Sequence, residues 1–532
     1  MKTILTFLLF ANAIVSAQWN SDPAVNNPVC ISAGGQQNMQ MVSDNVGGSI
    51  LTWTDSRYGP TRDIYAQRID ANGNKLWNAD GIAICNAIDE QFTPRIVSDG
   101  GTGAIITWYD NRIANNWDIY AQRINGNGIV QWTTDGVPIC TATGNQNMQQ
   151  LLNVGNDGAI IVWSDGRILG PFPDIYAQRV NGDGVVQWTA NGVPICTASN
   201  SQGSPQLVTD GSLGAIVTWD DLRGTYSDIY AQRISATGVA MWANDGIPIA
   251  TSVWDQDTPT IVSGINGAII SWNDYRNNNL DIYAQKIDYG TGTIQWASNG
   301  ISVCSAPYMQ VLSQMVQDNA GGAYFVWEDR RIYAQRVNNL GIPQWSINGV
   351  AVCTNDPAQK KPQLCLNNSG NPIITWQDDN TNIYAQGLTT TGSALWATNC
   401  VPVSTANGIQ TNPQLVLSGG TNSMIIAWED SRNDASDIYA SKLFLNGTLP
   451  TPSFSDISTI SIFPNPIKDI LTIQNPLNIS IEKMTITDLS GKKIMEQNGT
   501  TNQINVSKLS EGMYLLQITS EEKNSTTKFI KQ

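Results

Sequence analysis

The stretch Trp53-Thr54-Asp55-Ser56-Arg57 is the first of eight copies of Trp-x-Asp-x-Arg. The tryptophans stand at Trp53, Trp108, Trp163, Trp219, Trp272, Trp327, Trp376 and Trp428, at spacings of 55, 55, 56, 53, 55, 49 and 52 residues. The seventh copy ends in Asn380 instead of Arg. Each copy is followed by Ile-Tyr-Ala, starting at Ile64, Ile119, Ile175, Ile229, Ile282, Ile332, Ile383 and Ile438. A second tryptophan series comes next: Trp77, Trp132, Trp188, Trp242, Trp296, Trp345 and Trp396. With Trp19, the two series account for 16 of the 18 Trp. Self-similarity at a near-constant period of this length marks a repeat architecture.

One unit, residues 202–250, reads as four short strands. Pro205–Thr209 is apolar and short, and Asp210-Gly211-Ser212 turns the chain. The stretch up to Asp220 is β-branched and apolar on both faces, as a doubly buried strand requires. Asp228–Ile234 alternates. Val239–Trp242, continued by Ile247–Ala250, is the fourth. No stretch sustains a 3.6-residue period. Eight such units predict an all-β, eight-bladed β-propeller, which closes radially and hides its sheet edges. The last unit lacks its second Trp, and Trp19–Cys30 matches Trp77–Cys85. The N-terminal segment is therefore expected to supply the outer strand of the last blade.

Composition narrows the function. Lys+Arg 29 against Asp+Glu 44 gives 29 − 44 = −15 over 532 residues, which argues against a nucleic-acid partner. There is no His, so His-based nucleophile activation and His-ligated metal sites are excluded. Residues 1–17 read as a signal peptide: Lys2, an apolar run from Ile4 to Val15, then Val15-Ser16-Ala17 as a small-residue cleavage site. That run is too short to span a bilayer, and no transmembrane segment is expected elsewhere. The propeller is assigned to 18–448 and a Pro/Ser linker to 449–457.

The turn-and-Trp segment Asp70-Ala71-Asn72-Gly73-Asn74-Lys75-Leu76-Trp77 resembles the tryptophan-docking motif of eight-bladed quinoprotein dehydrogenase propellers. It covers about eight residues per unit and implies shared blade-docking physics, a flat ring packed between adjacent sheets. Beyond the linker, Lys becomes common and Trp disappears. Ile460–Pro466, Asp469–Ile473, Ile486–Ile494, Leu509–Ile518 and the ending Lys528–Gln532 follow in order. This block order resembles the type A C-terminal sorting domain of the type IX secretion system of Bacteroidota. The resemblance implies a small β-sandwich at 458–532 that engages the type IX secretion machinery, and a protein that is secreted or attached to the outer-membrane surface.

Two polar residues repeat in all eight units. Gln36, Gln91, Gln146, Gln202, Gln256, Gln310, Gln359 and Gln410 each follow the Cys position by six residues. Asp55, Asp110, Asp165, Asp221, Asp274, Asp329, Asp378 and Asp430 are the acid of the repeat motif. Eightfold repetition favours eight identical structural tasks, a loop-to-hairpin hydrogen bond and an Asp–Arg pair ordering the hairpin, over one asymmetric site. The propeller has three Glu: Glu90, Glu328 and Glu429. The last two directly follow a repeat Trp and read as variants of a repeat position, so no carboxylate pair stands out for glycoside hydrolysis. No sialidase-type Asp box is present.

Cys30, Cys85, Cys140, Cys196, Cys304 and Cys353 share one repeat position, where Ala250 and Ser404 also occur. They are expected to be buried thiols, since equivalent positions on different blades lie too far apart to bridge. Cys365 and Cys400 lie off that position and are the pair expected to be capable of a disulfide. No metal site or cofactor is indicated. The loops after the motif vary between units and carry Tyr58, Trp117, Phe172, Tyr226 and Tyr275, with Trp254 on the same face. A binding site on a ring must break its symmetry, so these aromatics are the binding candidates. The pattern favours an exported binding module for a glycan or protein ligand. The alternatives are an extracellular carboxylate-dependent hydrolase working at the channel, and a purely structural surface protein.

Overall fold

The computed structural model describes residues 19–113, 116–156, 158–167, 172–354, 358–379, 381–396, 400–419, 422–450, 461–475, 481–489, 491–499, 502–520 and 523–532. The expected signal segment, most of the linker and parts of two variable loops (114–115 and 168–171) lie outside these residues. The chain forms two compact units, Met1–Pro450 and Thr451–Gln532. Every regular element among the described residues is a β-strand, and no helix is long and apolar enough to cross a membrane.

The first unit is an eight-bladed propeller of four-stranded antiparallel sheets. In the first blade the strands run from the innermost Gln36–Ser43 through Ser49–Asp55 and Asp63–Ile69 to the outermost Ile82–Cys85. Blades two to seven repeat this order. The eighth is composite: Gln410–Leu417, Ser423–Asp430 and Asp437–Phe444 are completed by Asn27–Cys30, with Asn27 opposite Ala440 and Cys30 opposite Ile438. The ring is thus clasped by its N-terminal strand.

All seven residues of Ser49–Asp55, and all seven of Asp63–Ile69, are buried. Each sheet packs between two others, so β-branched side chains are buried on both faces. The apolar core consequently lies between blades. Ile50, Ile64, Ile84 and Cys85 of the first blade pack on Ile96, Ile106, Trp108 and Ile124 of the second. Each motif Trp is fully buried. At about 25 cal/mol per Å² and roughly 200 Å² of ring and chain, each contributes up to about 5 kcal/mol.

The fourth strand of unit four is only Ile247–Ala250, and its first is the longer Gln202–Thr209. Trp242 leaves the ladder because it docks on the next blade. Its Nε1–H donates to the Gly290 carbonyl, as Trp77 donates to Gly126, Trp132 to Gly182 and Trp19 to Ala71. The receiving turn needs glycine. Gly73 has φ +85°, and a Cβ there would lie 3.1 Å from the Trp19 ring.

The disulfide differs from expectation. Cys400 bonds Cys353, with Cα atoms 6.2 Å apart, and Cys365 is a thiol. Cys400 stands where the first blade has Gly81, in a left-handed conformation (φ 60°). This turn lies beside the outer strand of the preceding blade: Cys30 Sγ is 3.5 Å from the Asp80 carbonyl, one residue before Gly81. A cysteine in that turn therefore reaches the repeat Cys of its neighbour. Cys365 occupies the position of Val42 and Val97 in the innermost strands. Cys30, Cys85, Cys140, Cys196 and Cys304 are buried thiols, and burial pushes Cys30 up to about 12.

The second unit has two sheets. One orders Ser461–Phe463, Ile470–Gln474 and Gln503–Asn505, and the other Lys493–Asn498, Lys483–Asp488, Gly512–Ser520 and Lys523–Lys531. Leu471, Ile473, Met484, Ile486, Leu516, Ile518 and Phe529 fill the space between them. This is a small β-sandwich.

Candidate functional site

The motif Asp is the centre of a buried node. Asp55 Oδ2 accepts from Trp53 Nε1 at 2.7 Å and from Arg57 Nη2 at 2.6 Å, and Oδ1 accepts from the Arg57 backbone N–H and Nε, both at 2.9 Å. Arg57 Nη2 also donates to the Asp80 carbonyl at 2.8 Å, and the guanidinium lies 3.9 Å from the Tyr65 ring centre. The same Asp–Arg pair holds at Asp110, Asp165, Asp221, Asp274 and Asp430. In the sixth blade the hairpin is tight, with Asp329 directly opposite Arg331. There Asp329 accepts instead from Gln310 Nε2 at 3.3 Å.

The repeated Gln are placed opposite these acids without bonding to them elsewhere. Gln36 is the register partner of Asp55, but its Nε2 donates to its own loop, to the Ser32 and Gly34 carbonyls at 3.1 and 3.3 Å. Gln91, Gln146 and Gln202 do the same in their loops. All four are fully buried, as are Asp55, Asp110, Asp165 and Asp221.

The aromatic candidates differ in exposure and in their neighbours. Tyr58, Phe172 and Trp254 are 77, 49 and 48% exposed. Tyr226 tilts against Trp254 with ring centres 5.3 Å apart. Trp117 is half-buried because it packs edge-on against Phe92 at 4.8 Å, and Phe92 in turn meets Tyr109 at 5.3 Å. Tyr275 is half-buried, its backbone N–H bonded to the Asp255 carbonyl.

The symmetry is broken most sharply inside the channel. Two residues after the Gln, seven of the innermost strands carry a non-glycine residue in the left-handed region: Asn38, Thr93, Met148, Ser204, Thr258, Lys361 and Asn412. The β-branched Thr93 and Thr258 are strained there. Side chains following the motif Trp reach these bulges on the next blade. Thr54 accepts from the Thr93 N–H at 3.2 Å, Glu328 from the Lys361 N–H at 2.6 Å, and Gln377 from the Asn412 N–H at 3.1 Å. Tyr109 Oη accepts from the Met148 N–H. Glu429 accepts from the Met39 N–H at 3.2 Å, across the seam that closes the ring.

A cavity of about 410 Å³ opens here, lined by blades one, two, six, seven and eight. Its charged residues are Arg95, Glu328, Lys361 and Glu429, among Asn38, Gln40, Gln363, Asn412 and Gln414. Lys361 Nζ donates to Asn412 Oδ1 at 2.6 Å and Thr411 Oγ1 at 3.2 Å, and Asn412 Nδ2 donates to Glu429 Oε2 at 2.8 Å. Burial raises the Glu429 carboxyl above its ordinary range, against the hydrogen bonds that favour its charged form. Burial lowers Arg95. No group of three or more metal-ligating acidic or Cys side chains occurs among the described residues. Sequence reasoning missed this site because Glu328 and Glu429 read as drift at a repeat position. The available signal was that the residue after each Trp is polar in every unit yet almost never the same.

Residues 461–532 match the secretion system C-terminal sorting domain family. The protein is thus an exported β-propeller carrying a type IX sorting domain, delivered outside the cell or to the outer-membrane surface. No curated protein matches the chain. Among solved structures it is similar to an ulvan lyase of a polysaccharide lyase family at 11% identity, over 83% of this chain and 98% of that one, with TM-score 0.44. It is also similar to Sqt1 of Saccharomyces cerevisiae at 8% identity, over 82% and 99%, with TM-score 0.43. An α-L-arabinofuranosidase from Fusarium graminearum is similar at 11% identity, over 56% and 93%, with TM-score 0.31.

Proposed function

We propose that this exported propeller is a glycan-binding module whose ligand enters the channel mouth. The observation that carries the reading is the chemistry of the 410 Å³ cavity, walled chiefly by amide, hydroxyl, carboxylate and cationic side chains. Sugar hydroxyls both donate and accept, and Asn and Gln offer both functions in one group. The volume is within the range of small-ligand sites, roughly 300–1,000 Å³. A protein loop would need an apolar anchor pocket, and the apolar residues lining this wall are only Met39, Pro362 and Pro413. The exposed rings of Tyr58, Phe172 and Trp254 offer stacking faces for outer sugar units. The test is a glycan array probed with the full-length protein. Binding should fall about tenfold in Asn412→Ala or Gln363→Ala. A silent array, or binding unchanged in both variants, would overturn the reading.

The second reading is a carboxylate-dependent hydrolase, favoured by one observation: Glu429, with a carboxyl raised as a general acid requires, shares the cavity with Glu328. Both carboxylates also accept backbone N–H groups of a neighbouring blade, a structural duty that competes with catalysis. Release of reducing ends from a bound glycan, abolished in Glu429→Gln, would establish this reading in place of simple binding.

A further inference from the structure

Four residues beyond each repeated Gln, the innermost strands align one position around the channel. Gln40, Gln150, Gln206, Thr260, Gln314, Gln363 and Gln414 occupy it in seven blades, each opposite the residue before the motif Trp. The second blade has Arg95 there, opposite Thr107. Seven neutral residues complete the same strand in the same place, so the fold itself has no need of a cation at this point.

Arg95, half-buried in the cavity wall, also lacks what several comparable arginines of the propeller have. Arg57, Arg68, Arg112 and Arg123 are each matched to an Asp within 3.1 Å. Among the described residues Arg95 has no carboxylate within ion-pair distance. Its bond is Nη1 to the Pro94 carbonyl at 3.4 Å, and its near titratable neighbour is the Tyr109 phenol. Glu328 and Glu429, in the same cavity, turn oxygens to the backbone N–H groups of Lys361 and Met39. Lys361 adds a second cation whose ammonium rests on the neutral Asn412 and Thr411. A desolvated, unmatched guanidinium is costly, and a ligand that supplies the anion removes the cost.

We propose that Arg95 is the anion-binding residue of the channel, so that the ligand is an acidic glycan carrying a carboxylate or a sulfate ester. This rests on the glycan-binding reading above. The planar fork of a guanidinium takes either anion with two parallel N–H donors, and Lys361 adds charge without that geometry.

The test is calorimetric titration of the full chain and of Arg95→Gln at fixed ionic strength. That variant installs the residue six other blades carry, and its melting temperature should match the wild type. The probes are a galacturonate trisaccharide, a sulfated galactose trisaccharide, the neutral galactose trisaccharide, and inorganic sulfate. The expected result is that the wild type takes at least one acidic trisaccharide about tenfold more tightly than the neutral one, and that Arg95→Gln loses this preference with neutral-sugar affinity unchanged. The preferred acidic sugar distinguishes uronate from sulfate ester. Equal glycan binding by wild type and Arg95→Gln would overturn the anion site while leaving the glycan reading intact. Sulfate bound by the wild type, lost in Arg95→Gln, with no glycan bound would keep the anion site and overturn the glycan reading. Absence of binding to sulfate and both acidic sugars would overturn the proposal.

Discussion

The Met39 backbone N–H in the first blade donates to Glu429 Oε1 in the eighth at 3.2 Å, so a cavity-lining acid also holds the seam where the ring closes. Glu429 Oε2 takes Asn412 Nδ2 at 2.8 Å, which ties the two strands to one carboxyl group. Replacing Glu429 by Ala strands a buried N–H and an amide, and should lower stability by about 1–3 kcal/mol. Glu429→Gln keeps a carbonyl acceptor and should lose less than half as much. Chemical denaturation of both variants checks the order; equal losses would remove the seam role.

The clasp should matter more than any single seam bond. Trp19 is buried, donates to the Ala71 carbonyl at 2.9 Å, and packs on Gly73 of the first blade. Trp19→Ala should cost about 3–5 kcal/mol. Deleting residues 19–30 exposes the whole edge of Asp437–Phe444, a ready template for pairing with another chain. Light scattering of the deleted protein should report concentration-dependent association, and a monodisperse monomer would argue that the edge is protected otherwise.

Cys353–Cys400 fastens the sixth blade to the seventh across 47 residues of sequence. Closing a loop of that length removes about 4 kcal/mol of chain entropy from the unfolded state. Cys400→Gly restores the residue most other blades use in this turn. The wild type should therefore lose stability on reduction, whereas Cys400→Gly should be insensitive to reductant and match the reduced wild type. Melting curves with and without a thiol reductant check both halves.

Much of this architecture was legible because it is repeated. The spacing of Trp53 and its seven partners defines the blades, and the match of Trp19–Cys30 to Trp77–Cys85 defines the closure. What was not legible depends on single departures from the repeat. Cys400 looks unattached to the cysteine series until the Gly81 turn is seen beside the neighbouring outer strand. Arg95, Glu328 and Glu429 are far apart in sequence and each occupies a common repeat position; only rolling the strands into a ring brings them around one cavity. From its place in a variable loop, Trp117 reads as a rim aromatic. Phe92, which covers it, belongs to the innermost strand of the same blade, a contact that no short-range spacing reveals.

The buried acids opposite the motif make the propeller's stability depend on pH. Asp118 pairs in register with Asp110. Its Oδ1 takes Asn116 Nδ2 at 2.5 Å, while its buried Oδ2 has no partner among the described residues. The Gln146 backbone N–H donates to the Trp117 carbonyl one residue away, and Gln146 Oε1 is also without a partner. Two buried acceptors without a donor among the described residues thus flank one backbone bond between blades, and a proton on Asp118 would supply a donor there. The same holds for Asp174 with Gln202 and Asp437 with Gln36. Burial pushes Asp118 up to about 7, and Asp63, Asp174, Asp228 and Asp437 up to about 6, with a neighbouring carboxylate adding to each. An unfolded Asp titrates near about 3.9. The folded chain therefore holds more protons than the unfolded chain between about pH 4 and about pH 7. Stability from these groups is fully present below that window, falls as pH rises through it, and is gone above it. The wild type should melt higher at about pH 5.5 than at about pH 8. Asp118→Asn keeps an acceptor for Asn116 and turns an N–H donor toward Gln146. It should be more stable than the wild type at the higher pH, with the gain shrinking at the lower. A wild type that melts higher at the alkaline end, or an Asn variant that is less stable there, would show that these acids are ionised in the fold.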